Sequence, residues 1–81
     1  MKDIIWNKVI LDEFLQLAFL TELEEQILRT RIAGWSRVKQ SMELHISVST
    51  VDSTIRMIGL KYDMVQPYSK ILPVRKKKQQ I

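Results

Sequence analysis

Two serines eleven residues apart, Ser36 and Ser47, constrain the fold of this chain more than any other feature. The hydroxyl of each can accept a hydrogen bond from the free N–H groups of a starting helix, so a helix is predicted to begin at the residue that follows each serine. Only His45 and Ile46 separate the two helices, so the chain must turn sharply. We expect a left-handed backbone at His45, where glycine is the usual residue.

The apolar residues around this turn favour two helices that cross in contact. Ser41 is small where the helices must approach each other, and Ile46, Val51 and Ile55 are expected to point inward. This pattern is typical of a helix-turn-helix, which makes double-stranded DNA the leading partner. The residues predicted to contact DNA in this pair are Arg37, Ser47, Val48, Ser49, Thr50, Asp52, Ser53 and Arg56.

A supporting helix is predicted from Glu22 to Ala33, because Thr21 and Glu24 have the spacing of a capping box and Gly34 can end the helix. Its apolar stripe consists of Leu23, Ile27, Leu28 and Ile32. Trp35, next to Gly34, is expected to join the core.

The first segment, Asp3 to Leu20, also has helical periodicity, and its apolar arc covers about half of the circumference. A surface helix needs a narrower stripe, so something must cover the excess. Two explanations stay open: the other helices cover it, or two copies form a homodimer through this N-terminal helix.

Pro67 and Pro73 break the helical pattern near the C-terminus. The stretch 66–73 contains Tyr68, Ile71 and Leu72, which are expected to pack back on the helices as an ordered strap. A basic tail follows, and it either contacts the DNA backbone or minor groove, or is a solvated end. Its residues are Arg75, Lys76, Lys77 and Lys78.

Composition and charge agree with a small DNA-binding domain. The 81 residues include two glycines, two prolines and no cysteine. The net charge of +4 divides into −2 for residues 1–36 and +6 for residues 37–81, so the helix pair lies in the basic part. We predict an all-α four-helix helix-turn-helix bundle over residues 1–65. The N-terminal helix lies in 1–20, the supporting helix in 21–34 and the two helices of the helix-turn-helix in 36–62. A strap and tail are predicted over 66–81.

Other classes of function have little support. The chain has one histidine, no nucleophile–histidine–acid set and no glycine-rich phosphate loop, so we expect no catalytic site, no cofactor and no metal. No apolar run approaches the roughly 18 residues of a membrane span. A cytoplasmic protein that does not contact membranes is expected.

The region from Leu20 to about Asp63 resembles the LuxR-type DNA-binding domain and the similar region-4 domain of bacterial sigma factors. The whole chain is similar to short sigma-like helix-turn-helix proteins of Gram-positive bacteria and their mobile elements. The resemblance implies that the second helix of the pair enters the major groove, that residues 47–56 read DNA, and that RNA polymerase is an alternative partner. It is carried by Leu20, Thr21, Glu24, Ile27, Leu28, Gly34, Ser36, Leu44, Ile46, Ser47, Thr50 and Val51.

Four positions depart from this family pattern. Gln40 and Thr54 stand where the family prefers buried aliphatic residues, and His45 replaces the usual glycine. Asp52 puts a negative charge where phosphate is expected. Its carboxylate could accept from a cytosine amino group, or it could face solvent or pair with Arg56 four residues later.

Two functions therefore remain. The first is a sequence-specific regulator of transcription that binds DNA through the second helix of the pair. The alternative is a protein-interaction module that contacts RNA polymerase or another partner, with weak or no DNA binding.

Overall fold

The computed structural model describes residues 4–75, and this part of the chain is all-helical. Four α-helices follow one another: α1 (Lys8–Ala18), α2 (Glu22–Ile32), α3 (Arg37–Leu44) and α4 (Val48–Val65). A short 3-10 helix over Gln66–Tyr68 continues from α4. No β-strand occurs between residues 4 and 75, so the predicted all-α fold with four helices is confirmed there.

Polar side chains start each helix. Thr21 and Glu24 form the predicted capping box, and the hydroxyls of Ser36 and Ser47 accept from the N–H groups of Lys39 and Thr50 at 3.1 and 3.0 Å. The predicted starts of these three helices are confirmed.

The predicted extent of the first helix is wrong at both ends. The Asn7 side chain accepts from the Ile10 N–H at 2.9 Å, which needs an extended backbone at Asn7 and sets the start of α1 at Lys8. At the other end Phe19 adopts a left-handed backbone with φ of 51°, so α1 stops at Ala18.

Helix α4 forms the centre of the fold, because α1, α2 and α3 all pack against it. Tyr62 of α4 is fully buried, and its ring lies 5.3 Å from that of Phe14 and 6.0 Å from that of Trp6, measured between centroids. Burial, together with the nearby Asp63 carboxylate, raises the pKa of the Tyr62 hydroxyl above its ordinary value of 10.0. The buried apolar residues are Ile4, Phe14, Ile27, Leu28, Val51, Ile58, Tyr62 and Leu72.

Contacts within the chain cover most of the wide apolar arc of α1. Phe14 is fully buried. The other covered residues of α1 are partly buried and pack against the core; they are Ile10, Leu11, Leu15, Leu17 and Ala18. Val9 stays exposed, as do Ile5 and Phe19 beside the helix. Packing within a single copy of the chain therefore covers most of the apolar arc, and a homodimer through α1 stays a prediction.

The segment after α4 folds back as a strap, as predicted, although its packing differs. Leu72 is buried and its carbonyl accepts from the Gln66 side chain at 3.1 Å, while the Ser69 hydroxyl donates to the Glu13 carboxylate at 2.6 Å. The expectation that Tyr68 and Ile71 also pack inward is wrong, because both are exposed. One apolar side chain and several hydrogen bonds hold the strap.

A nearly buried ion pair links the start of α2 to α4. The Glu24 carboxylate accepts from the Thr21 backbone N–H at 3.0 Å and from the Lys61 ammonium at 2.6 Å. Burial raises the pKa of Glu24, but the hydrogen bonds from Lys61 and Thr21 and the charge of Lys61 outweigh burial. The pKa of Glu24 is therefore below its ordinary value of 4.5.

We predict that Glu24→Gln, which keeps an acceptor for the Thr21 N–H but loses the charge facing Lys61, lowers the free energy of unfolding at neutral pH by about 1 to 2 kcal/mol. Because the folded-state pKa lies below 4.5, this contribution is present above pH 4.5 and is lost as the pH falls through the folded-state pKa. Urea unfolding of both proteins at neutral pH and at about pH 3 measures it. An equal difference at both pH values would contradict the prediction.

Candidate nucleic-acid interface

The turn between α3 and α4 has the predicted left-handed backbone at His45, with φ of 59° and ψ of 44°. Ser41 holds the turn, because its carbonyl accepts from the Ile46 N–H at 3.1 Å and its hydroxyl donates to the Ile46 carbonyl at 2.5 Å. The sequence pattern predicted only that the small side chain of Ser41 lies where the two helices meet. Its hydrogen bonds were not predicted, and they tie the end of α3 to the start of α4.

The inner side of the helix pair is buried as predicted. Val51 is fully buried, and Ile46 and Ile55 pack against the core. Gln40 and Thr54, which depart from the family pattern, are buried as well. The Gln40 Nε2 and the Thr54 hydroxyl have polar partners, whereas the buried Gln40 Oε1 accepts no hydrogen bond from residues 4–75. The Gln40 amide donates to the Ile27 carbonyl and the Thr30 hydroxyl, and the Thr54 hydroxyl donates to the Thr50 carbonyl at 2.7 Å.

The outer side of α4 is polar over its first half. Ser49, Ser53 and Arg56 are exposed and share one helix face, since they stand at positions i, i+4 and i+7. Val48 is exposed at the start of the same helix. The hydroxyls of Ser47 and Thr50 lie 2.9 Å apart and bond to each other at the helix terminus. Seven of the eight residues predicted to contact DNA in the pair therefore lie on α4 or at its cap.

Arg37 at the start of α3 is joined to this face by Asp52. Its Nη1 donates to both oxygens of the Asp52 carboxylate, at 2.8 and 2.7 Å. The suggestion that Asp52 pairs with Arg56 is therefore wrong, because the crossing of the helices brings Arg37 to it instead. Within residues 4–75 Arg56 has no carboxylate partner.

Trp35 does not occupy the position expected of it. Its indole is only partly buried and lies outside the hydrophobic core, and the Lys39 ammonium sits 4.7 Å from its ring centroid. The expected core role is wrong, because the left-handed Gly34 directs the chain to the start of α3 at the surface. Lys39 was not predicted to belong to this surface. The signal for it is the spacing of four residues between an aromatic ring and a cation.

The basic tail begins at a residue that is held on α4. The Arg75 guanidinium donates to the Asp63 carboxylate from Nε at 3.1 Å and from Nη2 at 2.8 Å, and its side chain is 21% exposed. Contact of Arg75 with DNA stays a prediction, and it would require a phosphate to displace Asp63. Lys76, Lys77 and Lys78 lie outside the described residues.

Between residues 4 and 75 no helix is both long enough and apolar enough to cross a membrane. The same residues contain no group of three or more His, Cys, Asp or Glu side chains that could hold a metal ion.

Comparison with known proteins returns no matching family model, no matching curated protein and no matching solved structure. The likeness to LuxR-type and sigma region-4 domains thus depends on the residues quoted for it.

We predict that His45→Gly raises the free energy of unfolding by about 0.5 to 1 kcal/mol, because glycine adopts the left-handed backbone without a Cβ penalty. His45→Ala is the matched control, since it removes the exposed imidazole but keeps the Cβ atom, and it should give no gain. Thermal unfolding followed by circular dichroism measures both variants. Equal stability of the glycine and alanine variants would contradict the prediction.

Proposed function

We propose that this chain binds double-stranded DNA in a sequence-specific manner and regulates transcription, with α3 and α4 as a helix-turn-helix and α4 in the major groove. The observation that carries the proposal is the two-sided character of α4. One side is buried against three helices, and the opposite side presents Ser49, Ser53 and Arg56 to solvent, with no carboxylate from residues 4–75 paired to Arg56. The resemblance to LuxR-type and sigma region-4 domains supports it.

The dimensions of the exposed face suit the groove. From Val48 to Arg56 the helix extends about 12 Å, and the major groove of B-DNA is about 12 Å wide. Serine hydroxyls can bond to either donors or acceptors on base edges, and an arginine fork fits the O6 and N7 atoms of guanine. Arg56 is therefore the main candidate for reading a base, and guanine is the base that its fork fits.

The charge distribution favours the same partner. Residues 37–81 carry a net charge of +6, whereas residues 1–36 carry −2. Most cations of the described part are neutralised by carboxylates, in the pairs Lys8–Asp12, Arg29–Glu25, Arg37–Asp52, Lys61–Glu24 and Arg75–Asp63. Arg56 is not, so its charge is available to DNA.

The test begins with selection of bound sites from random duplexes by the unmodified chain. Arg56→Ala should then weaken binding to the selected site by about 1 to 3 kcal/mol and relax the preference at one base pair. Arg31→Ala is the matched control, because Arg31 also lacks a carboxylate partner within residues 4–75 but lies at the end of α2. Failure to select any site, or equal effects of the two substitutions, would contradict the proposal.

A second candidate function is contact with RNA polymerase or another protein. It is favoured by Val38 and Met42, which are neighbours at i and i+4 on α3 and are 59% and 68% exposed. Two adjacent apolar side chains on the outer side of a short helix can enter a pocket of a protein partner. The DNA-reading face of α4 does not include them.

For this candidate we predict that Val38→Lys combined with Met42→Lys weakens binding of the chain to purified bacterial RNA polymerase by about tenfold or more. Val9→Lys is the control, because Val9 is 62% exposed on a different helix. Titration of a fluorescently labelled chain with the polymerase measures both affinities. Absence of a complex, or equal effects of the two changes, would rule out RNA polymerase as the partner of this surface.

A further inference from the structure

Asp52 and Asp63 of α4 each pair with an arginine, and the two arginines use different edges of the guanidinium group. Arg75 donates to Asp63 from Nε and Nη2, at 3.1 and 2.8 Å, so its side edge is closed by the carboxylate. Arg37 donates to Asp52 from Nη1 alone, at 2.8 and 2.7 Å. Its side edge, formed by Nε and Nη2, makes no hydrogen bond with any residue from 4 to 75.

This difference matters for binding an anion. A phosphate matches a guanidinium best when two parallel N–H groups donate to two of its oxygens. The guanidinium has five N–H donors on three nitrogens, and Nη1 of Arg37 is the nitrogen that faces Asp52. The three N–H donors on Nε and Nη2 remain, and they form an edge suited to a phosphate.

The Arg37–Asp52 pair lies at the border of the proposed DNA-binding face. Arg37 is the first residue of α3, and Asp52 precedes Arg56 by one turn on α4. The two side chains are 53% and 38% exposed. Ion pairs with this exposure contribute little to stability because water and salt screen them. Their main effect is to fix the end of a long side chain relative to α4.

We propose that Asp52 is a positioning residue: it holds Arg37 so that the Nε and Nη2 edge receives one phosphate of the DNA backbone, and it reads no base itself. The inference rests on the proposed DNA-binding function. It explains how a carboxylate is tolerated beside DNA, because Arg37 neutralises it. Without Arg37, the same carboxylate would repel the phosphates.

The test is a double-mutant cycle with Arg37→Ala, Asp52→Ala and the two combined, titrated with the selected duplex and a random duplex over a series of salt concentrations. Asp52→Ala is expected to lower affinity for both duplexes by about threefold to tenfold and to reduce the salt slope by up to about 0.9, the value of one phosphate contact. In the Arg37→Ala background the same substitution is expected to raise affinity, because an unpaired acid is removed.

Glu43→Ala is the matched control for charge. Glu43 is exposed on α3 and has no ion-pair partner within residues 4–75, so its removal adds the same unit of positive charge without freeing Arg37. It should leave affinity unchanged or raise it slightly. Asp52→Asn, which keeps the shape of the side chain, should change affinity in the same direction as Asp52→Ala, and circular dichroism checks that both variants are folded.

Three results would overturn the inference. If Asp52→Ala raises affinity by the same factor with and without Arg37, the carboxylate only repels phosphate. If it changes the preferred base sequence, Asp52 reads a base. If the unmodified chain binds no duplex at all, the proposed function falls and the inference falls with it, whereas the first two results leave DNA binding intact.

Discussion

The packing of α4 against all three other helices is the constraint on which the rest of the structure depends. Tyr62 lies at its centre, fully buried, with its ring against Phe14 and Trp6 and its hydroxyl donating to the Pro73 carbonyl. One residue thus joins α1, α4 and the strap. Because these contacts use one side of α4 over its whole length, the opposite side is held in a fixed orientation toward solvent, and a surface for recognition can be built on it.

Local capping fixes where the helices begin, and tertiary packing fixes how they are used. Ser36 and Ser47 set the length of α3, and the turn between the helices leaves room only for a left-handed residue. Ser41 then closes the turn with two hydrogen bonds to Ile46, one accepted by its carbonyl and one donated by its hydroxyl. The strained backbone at His45 costs stability, and the two bonds at Ser41 offset part of that cost. The angle between α3 and α4 thus depends on a few polar contacts near the turn.

Features of short range could be predicted from the sequence. Helix starts depend on a cap and the next three residues, so those of α2, α3 and α4 follow from Thr21, Ser36 and Ser47. The inward position of Val51 follows from the apolar pattern, whereas the burial of Gln40 and Thr54 was expected only from the resemblance, which places them where the family buries aliphatic residues. The partner of Asp52 could not be predicted, because Arg37 is fifteen residues away and meets it only when the helices cross. The exposure of Tyr68 and the position of Trp35 outside the core also depend on the path of the chain in space, which periodicity does not encode.

The same packing gives two sets of cations in residues 4–75 different surroundings. Lys61 and Arg75 point toward Glu24 and Asp63 and join segments of the fold, and each is at most 26% exposed. Arg37 and Arg56 are exposed. Charges of the first set have lost much of their water and are matched by carboxylates, so a phosphate gains little by replacing those partners. Arg37 and Arg56 stay in contact with water, although Nη1 of Arg37 is bound to Asp52. Net charge alone therefore overstates how many cations of residues 4–75 are open to an anion, because those held on Glu24 and Asp63 are not.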